Sequence, residues 1–282
     1  MKIQEITPQI IDTLLPTRKP DTHKGDYGKI LLLCGSRGYT GAAALAAMGA
    51  LRTGAGLVYL GVPESIYVIE AIKLTEPVVF PLPDEDGMLS VSAAETITAM
   101  LHKMDAVLIG PGLGQSEGVL HTLKTVLEKF KGPVVVDADG INVLSRHIDM
   151  LRGRTGITIL TPHMGEFVRI GGNLNIEAKE AAMDFAQKNN CILLLKGHRT
   201  VITDGKCCYV NHTGNPGMAV GGSGDVLAGI IVSLLGQGVP PLEAAACGAW
   251  LHGKAGDICA DEIGEYGMLP SDMLTVLPRL LK

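Results

Sequence analysis

The sequence predicts an α/β protein with a mostly parallel central sheet flanked by helices. Three observations lead to this prediction. Short apolar runs of strand length recur along the chain, helical patterns lie between most of them, and glycine-rich or polar turns follow several of the runs. Buried strands that alternate with helices are typical of βαβ units, whose crossover helices cover both faces of a parallel sheet.

The individual elements follow one another in this alternating order. The strand candidates are residues 30–34, 57–62, 106–109, 134–136, 157–160, 192–195 and 201–203. The helical patterns between them are residues 42–52, 93–101, 118–130 and 176–188. The run 206–210 follows Asp204 and Gly205, which predicts a hairpin. The last third is predicted to be helical at residues 225–235, 242–260 and 272–280, and residues 81–87 are predicted to form a polar loop.

Length and composition indicate one globular domain over residues 1–282. A chain of 282 residues with 46% hydrophobic and 19% charged residues can bury a large core. Its 36 glycines predict many tight turns and close backbone approaches. No linker, repeat or low-complexity segment suggests a boundary between domains.

Charge and cysteine content argue against several classes of protein. The formal net charge is -5 and no run of Lys or Arg stands out, so neither nucleic acid nor a membrane surface is an expected partner. The six cysteines form no C-x-x-C pair, which favours reduced structural thiols in the cytoplasm. No secretory leader and no apolar run of about 18 residues is apparent.

A glycine cluster gives the first chemical signal. Gly221, Gly222, Ser223 and Gly224 stand directly before Asp225 and an apolar helical pattern. The free amides and positive dipole end of a helix N-terminus bind anions, and glycine leaves room for a phosphate. Asp225 is then a candidate general base, although a first-turn carboxylate can also simply cap its helix. No P-loop motif is present, and residues 110–114 lack the third glycine of a dinucleotide fingerprint.

Polar segments follow other predicted strands. Residues 137–140, 161–166 and 196–200 each come after an apolar run, and open α/β sheets bind ligands at the carboxyl ends of their strands. A single histidine in such a place is usually structural. The cluster of Thr161, Pro162, His163 and Glu166 is harder to explain by packing alone.

Together these motifs resemble the ADP/ATP-dependent NAD(P)H-hydrate dehydratases of the ribokinase-like superfamily. The resemblance extends from about residue 24 to the C-terminus. The matching segments, in order, are residues 24–28, 35–36 with 39–42, 52–57, 110–114, 137–140, 161–166, 196–197 and 217–225. Each segment is a weak signal, but their order is specific. The resemblance implies a three-layer ribokinase-like fold.

The resemblance also implies a reaction. NADH or NADPH that has been hydrated at the nicotinamide ring (NADHX or NADPHX, the S-epimer) would be phosphorylated on its C6 hydroxyl. Loss of phosphate would then restore NAD(P)H. The implied co-substrate is ADP, or ATP, with Mg²⁺. The implied partner proteins are three further copies of the chain in a homotetramer and a separate NAD(P)H-hydrate epimerase, since some relatives carry an epimerase domain for which this chain begins too late.

Roles for individual residues follow from the same resemblance. Asp225 would be the catalytic base, and Gly222, Ser223 and Gly224 would form the anion hole. Nucleotide binding would involve Lys196, Gly197, His198, Arg199, Thr200 and Gly224. The hydrate pocket would be lined by Ala42, Gly112, His163 and Asp225. Glu166 would help to organise Mg²⁺, through water.

One departure from the family pattern and two other functions have to be considered. The family commonly has Gly-Thr-Gly-Asp where this chain has Ser223 in the second position, and serine retains the hydroxyl group. A ribokinase-like kinase for a vitamin or hydroxymethylpyrimidine would share the glycine cluster and differ in its substrate pocket. A non-catalytic nucleotide sensor would be expected to lack the base, whereas Asp225 is present.

Overall fold

Twelve strands and eleven α-helices occur in the computed structural model, which describes residues 2–15 and 17–281. The strands are β1 (Lys2–Glu5), β2 (Lys29–Leu33), β3 (Leu57–Pro63), β4 (Val78–Leu82), β5 (Asp84–Glu85), β6 (Met88–Leu89), β7 (Ala106–Ile109), β8 (Val134–Val136), β9 (Thr158–Leu160), β10 (Ile192–Leu195), β11 (Val201–Thr203) and β12 (Cys207–Val210). The helices are α1 (Pro8–Leu14), α2 (Thr40–Arg52), α3 (Glu64–Lys73), α4 (Ala93–Leu101), α5 (Glu117–Lys129), α6 (Asp139–Leu144), α7 (Met164–Arg169), α8 (Ala178–Asn189), α9 (Ser223–Gly236), α10 (Pro241–Ile263) and α11 (Pro270–Leu280). Short 3₁₀ helices lie at Lys24–Tyr27, Ile148–Leu151 and Pro216–Met218.

Ten of these strands form the central sheet. Their order is β1-β12-β11-β10-β9-β8-β7-β2-β3-β4, while β5 and β6 form a separate small hairpin. Within the described residues β11 is the one strand of the central sheet that runs against its neighbours, and the other pairings are parallel. The predicted mostly parallel sheet is therefore confirmed.

Helices cover both faces of the sheet and give three layers. Side chains alternate between the faces along each strand, so that Ile30 and Leu32 of β2 join one core cluster while Leu31 and Leu33 join the other. The first cluster contains residues of α1–α3 and α9–α11, and the second contains residues of α4–α8. This arrangement confirms the predicted three-layer α/β architecture.

The hairpin predicted at Asp204 and Gly205 joins β11 to β12. Thr203 pairs with Cys208 across the antiparallel ladder. The Asp204 carboxylate accepts hydrogen bonds from the amides of residues 206 and 207, at 2.8 and 2.7 Å, and Gly205 has a φ of +86°. A carboxylate that bonds forward to the chain and a glycine with positive φ are the usual components of such a turn.

The loop predicted at residues 81–87 is wrong in part. Residues 78–82 form the edge strand β4, which pairs in parallel with β3, and residues 84–89 contain the β5–β6 hairpin. Pro81 is tolerated here because an edge strand has one side without ladder hydrogen bonds. Only Asp86 and Gly87, at the hairpin tip, remain a turn, with φ values of +53° and +82°.

Several short or exposed elements were not anticipated. They are β1, α1, α3, α6 and α7. Helix α3 turns Ser65, Val68, Ile69 and Ile72 outward, and these exposed residues form what we call the α3 stripe. An apolar outer face removes the amphipathic pattern by which a surface helix is recognised in a sequence. No helix among the described residues combines the length and apolar character needed to cross a membrane.

Candidate active site

The sequence-predicted site residues lie along one edge of the sheet. Parallel strands β2, β7, β8, β9 and β10 are neighbours, and their carboxyl ends lead into segments 34–39, 110–114, 137–139, 161–163 and 196–200. Five segments that are distant in sequence therefore meet at one edge, where ligands bind in open α/β sheets.

The glycine cluster forms the N-terminal turn of α9. Gly222 is the N-cap residue with a φ of +98°, and a Cβ atom on it would lie 2.4 Å from Leu45 Cδ1 of α2. The next turn of α9 packs even closer, because a Cβ on Gly229 would lie 2.2 Å from the Ala46 carbonyl oxygen. Close contact with α2 thus fixes the position of the α9 N-terminus, whose free amides point to the sheet edge.

An ion pair lies directly in front of this turn. Lys196 Nζ donates a hydrogen bond of 2.9 Å to Asp137 Oδ1, which also accepts one of 2.7 Å from the Thr161 hydroxyl. A Cβ on Gly224 would lie 3.3 Å from Lys196 Nζ and 3.8 Å from Asp137 Oδ2. The open side of Gly224 therefore faces an ammonium group, and a phosphate there would be held by backbone amides and by Lys196.

Asp225 carries an unusual carboxyl group. Its pKa is raised to about 6: burial contributes most, the negative charges of Asp137 and Asp139 also raise it, and Lys196 acts in the opposite direction. The pKa of Lys196 is lowered by burial, but the surrounding carboxylates of Asp137, Glu166 and Asp225 outweigh this effect and raise it overall. At neutral pH the site therefore combines a charged lysine with a carboxylate of increased basicity, which suits proton abstraction.

Two of the predicted hydrate-pocket residues are in direct contact. Gly112 has a φ of +64°, and a Cβ on it would lie 2.8 Å from Ala42 Cβ and 3.0 Å from Tyr39 Cβ. The Ser36 hydroxyl donates a hydrogen bond of 2.7 Å to the Gly112 carbonyl oxygen. The loops after β2 and β7 are thus held together, and any side chain at position 112 would push them apart.

His163 and Glu166 have a structural role at the start of α7. His163 Nδ1 accepts hydrogen bonds from the amides of Gly165 and Glu166, at 3.0 and 3.3 Å. Glu166 Oε2 accepts one of 2.9 Å from the His163 amide, which completes a capping box. The imidazole is more than half exposed while the Glu166 carboxylate is buried. His163 is therefore accessible to a ligand, whereas one oxygen of Glu166 is already engaged.

The residues of segment 196–200, all predicted to bind the nucleotide, differ in how they are held in the structure. Lys196 is tied to the strand end by a 2.8 Å hydrogen bond from its amide to the Pro162 carbonyl, and the Thr200 hydroxyl donates one of 3.0 Å to the Gly197 carbonyl. Arg199 has a φ of +60°. The side chains of His198 and Arg199 are exposed and form no ion pair within the described residues, so the structure does not bring them to the Lys196–Asp137 pair.

Three polar residues at the site were not among the predicted ones. Asp137 was predicted only as part of segment 137–140, and the available signal was a carboxylate directly after an apolar run. Asp139 Oδ2 accepts a 2.9 Å hydrogen bond from the Gly114 amide and so holds the β7 loop. His252 of α10 contacts the Ser223 hydroxyl. No local sequence pattern could indicate this contact, because His252 lies 29 residues further along the chain, within a helix.

Comparison with known proteins agrees with this geometry. The sequence profile described as NAD(P)H-hydrate dehydratase matches residues 30–279. A bifunctional NAD(P)H-hydrate repair enzyme of Moorella thermoacetica is 44% identical over 275 residues, which are 95% of this chain and 52% of that protein. The chain therefore spans about half the length of this curated relative.

Solved structures of similar proteins superpose on nearly the whole chain. The ADP/ATP-dependent NAD(P)H-hydrate dehydratase from Bacillus subtilis, co-crystallised with ATP and Mg²⁺, superposes with a TM-score of 0.85 at 32% identity, covering 99% of this chain and 98% of that one. A ribokinase-like superfamily protein from Enterococcus faecalis superposes with a TM-score of 0.87 at 26% identity, covering 99% and 95% of the two chains.

Proposed function

Because the chain belongs to the NAD(P)H-hydrate dehydratase family, we propose that it converts the S-epimer of hydrated NADH or NADPH back to NAD(P)H at the expense of ADP. The observation that best supports this proposal is the position of Asp225. Its carboxyl group, with a pKa raised to about 6 by burial, lies beside a glycine turn that faces Lys196. A base and an anion site within one helical turn are what phosphoryl transfer to a hydroxyl requires.

The proposed reaction has two steps. In the first, Asp225 accepts the proton of the C6 hydroxyl, the hydroxyl oxygen bonds to the β-phosphorus of ADP, and AMP leaves. The amides of Gly222 and Gly224, with Lys196, hold the phosphoryl group as its negative charge shifts. In the second, the C6–O bond breaks, inorganic phosphate carries away the electron pair, water takes up the C5 proton, and the C5–H electron pair forms the ring double bond. Phosphate leaves far more readily than hydroxide, which is why a nucleotide is consumed.

The two substrates are assigned to neighbouring parts of the sheet edge. The nucleotide would lie against residues 196–200 and Gly224, and the hydrate against Ala42, Gly112 and His163. Support comes from the order of the strands, since β2 and β7 are adjacent and bring Ala42 to Gly112, while β10 and the α9 turn bring Lys196 to Gly224. Asp225, whose pKa is shifted by both Asp137 and Lys196, would act on the hydrate beside the nucleotide phosphates.

Magnesium is proposed to arrive with the nucleotide. Among the described residues no cluster of three or more His, Cys, Asp or Glu side chains could hold a metal on its own. Mg²⁺ usually retains water and binds nucleotide phosphates with one or two carboxylates, and Glu166 would contribute through water. When bound, the ion would neutralise charge on the phosphates. Activity that persists in excess EDTA would contradict this proposal.

A direct assay tests the proposed function. The protein is incubated with hydrated NADH or NADPH and either ADP or ATP, and the return of absorbance at about 340 nm reports the restored dihydronicotinamide ring. The same mixture with a vitamin or hydroxymethylpyrimidine in place of the hydrate tests the kinase alternative, which family membership disfavours. Nucleotide binding without turnover of any substrate would instead indicate a sensor.

The wider setting is also proposed. We place this activity in the cytoplasm, in one domain over residues 1–282, and we expect a separate NAD(P)H-hydrate epimerase to supply the S-epimer. The homotetramer implied by the family finds support in the α3 stripe, since adjacent exposed apolar side chains on one helix face are typical of a surface that a partner covers. No nucleic acid or membrane partner is proposed.

A further inference from the structure

His252 is a buried histidine that the mechanism above does not use. It lies in α10 with 8% of its surface exposed, and its Nε2 is 3.3 Å from the Ser223 hydroxyl oxygen at the start of α9. Its pKa is lowered to about 4: burial contributes most, a backbone hydrogen bond at Ser223 opposes it, and the charge of Lys196 also lowers it. The imidazole is therefore neutral at physiological pH, with one N–H and one lone pair.

Helix α10 holds the start of the segment that leads to the anion-binding turn. The Thr213 hydroxyl donates a 3.1 Å hydrogen bond to the Trp250 carbonyl, and the Gly214 amide lies 3.1 Å from both carboxylate oxygens of Asp257. The contact between His252 and Ser223 is a further link from α10, and it reaches the first residue of α9. It differs from the others because Ser223 stands between Gly222 and Gly224, the two residues whose amides are assigned to the phosphoryl group.

We propose that His252 is a positioning residue which donates its Nε2–H to the Ser223 oxygen and thereby directs the Ser223 hydroxyl hydrogen toward the phosphoryl group that is being transferred. This inference rests on the proposed function. A serine hydroxyl rotates about its C–O bond and offers one donor. Once a lone pair of Oγ is occupied from the α10 side, the hydrogen points away from α10 and so toward the open side of the turn. The hydroxyl then adds a third donor to those of Gly222 and Gly224.

A double-mutant cycle tests this role. Ser223→Ala and His252→Ala should each lower kcat about tenfold, the effect of losing one hydrogen bond to a charged group, with the KM for ADP changed less than about threefold. The double variant should be no slower than either single one, because each substitution removes the same interaction. His252→Gln, whose amide nitrogen can reach the same place, should restore most of the activity, whereas the shorter His252→Asn should not.

A control separates positioning from packing. Cys247→Ala also removes a buried side chain from α10, one that makes no hydrogen bond to segment 211–223 in the described structure. It should lower the Tm and leave kcat unchanged. If His252→Ala behaves like Cys247→Ala, or if the Ser223 and His252 effects multiply in the double variant, the proposal is overturned. Should His252→Ala not fold, the comparison of the Gln and Asn variants decides. A wild-type protein that does not turn over hydrated NADH would instead refute the proposed function.

Discussion

The carboxyl group of Asp225 shows how one residue can serve function at a cost in stability. Its pKa of about 6 in the folded protein exceeds the ordinary value of 3.8, so the folded state holds the proton more tightly than the unfolded chain does. The free energy of unfolding therefore falls as the pH rises from about 4 to about 6, and the loss is complete above that range. The same desolvated charge makes the carboxylate a stronger base at neutral pH.

Replacing Asp225 by asparagine should therefore separate activity from stability. Asp225→Asn is expected to lower kcat about 10²–10⁴-fold, since it removes the general base, while ADP affinity changes only a few-fold. Its Tm at neutral pH should equal or exceed that of the wild type because no buried charge remains. Stopped assays, calorimetric titration with ADP and thermal unfolding measure the three quantities. Turnover near the wild-type rate would remove Asp225 from the mechanism.

The pH dependence of turnover reports the same group. The base must be ionised to accept a proton, so kcat/KM should rise with pH through about 6 and level off above about 7. A profile that stays flat from about pH 5 to 8 would show that proton abstraction by Asp225 does not limit the reaction. In the variant Asp139→Asn, which removes one of the negative charges that raise the Asp225 pKa, the rise should shift to lower pH.

His163 combines a helix cap with an accessible imidazole, and two variants distinguish these roles. His163→Ala should lower the Tm, because the loss of an N-cap costs about 0.5–2 kcal/mol, and should raise the KM for the hydrate about 5- to 150-fold. His163→Asn keeps a good N-cap residue and should restore the Tm but not the KM. The KM for ADP serves as the internal control. A Tm loss alone in the alanine variant would contradict a place for His163 in the hydrate pocket.

At the scale of a single element, the N-terminus of α9 is the part of the site most sensitive to added atoms. Gly224→Val should weaken ADP binding and turnover together, each by at least about tenfold, because even a Cβ at this position would lie 3.3 Å from Lys196 Nζ. Gly153→Val is a suitable control, since a Cβ at that position meets nothing within 4 Å. Calorimetric titration with ADP measures the first effect. Unchanged affinity would mean that the phosphates bind elsewhere.

The individual elements also show how much of the fold can be predicted from the sequence. The core strands could be predicted because they are buried on both faces and read as continuous apolar runs, so that 106–109, 134–136 and 192–195 match the structure residue by residue. Edge strand β4 could not be predicted because it contains Pro81. Helix α3 could not be predicted because it presents apolar residues to solvent. At the site, motifs identify Asp225 and Lys196, but contacts such as Lys196 with Asp137 or Ser223 with His252 depend on which strands and helices become neighbours.

At the scale of the whole molecule, the α3 stripe makes a prediction about assembly. Ile72→Glu places a charge on the most exposed of its apolar side chains, and it should weaken self-association about tenfold or more if this face is covered by another copy. Val91→Glu, at an exposed valine outside the stripe, is the control. Sedimentation velocity over a range of protein concentrations measures the change. An unaltered distribution of species would place the subunit contact on another face.

The pairing of β1 with β12 has a consequence for the order of events during synthesis. Lys2 lies opposite Cys207 and Glu5 opposite Val210, so β1 is synthesised long before β12, the strand with which it pairs. Closing so long a loop is slow, and β1 lacks its partner until more than 200 further residues have been translated. During that interval the growing α/β core has an open edge at β9 and then at β10. We therefore expect this edge to be the place where a nascent-chain chaperone has the longest opportunity to bind.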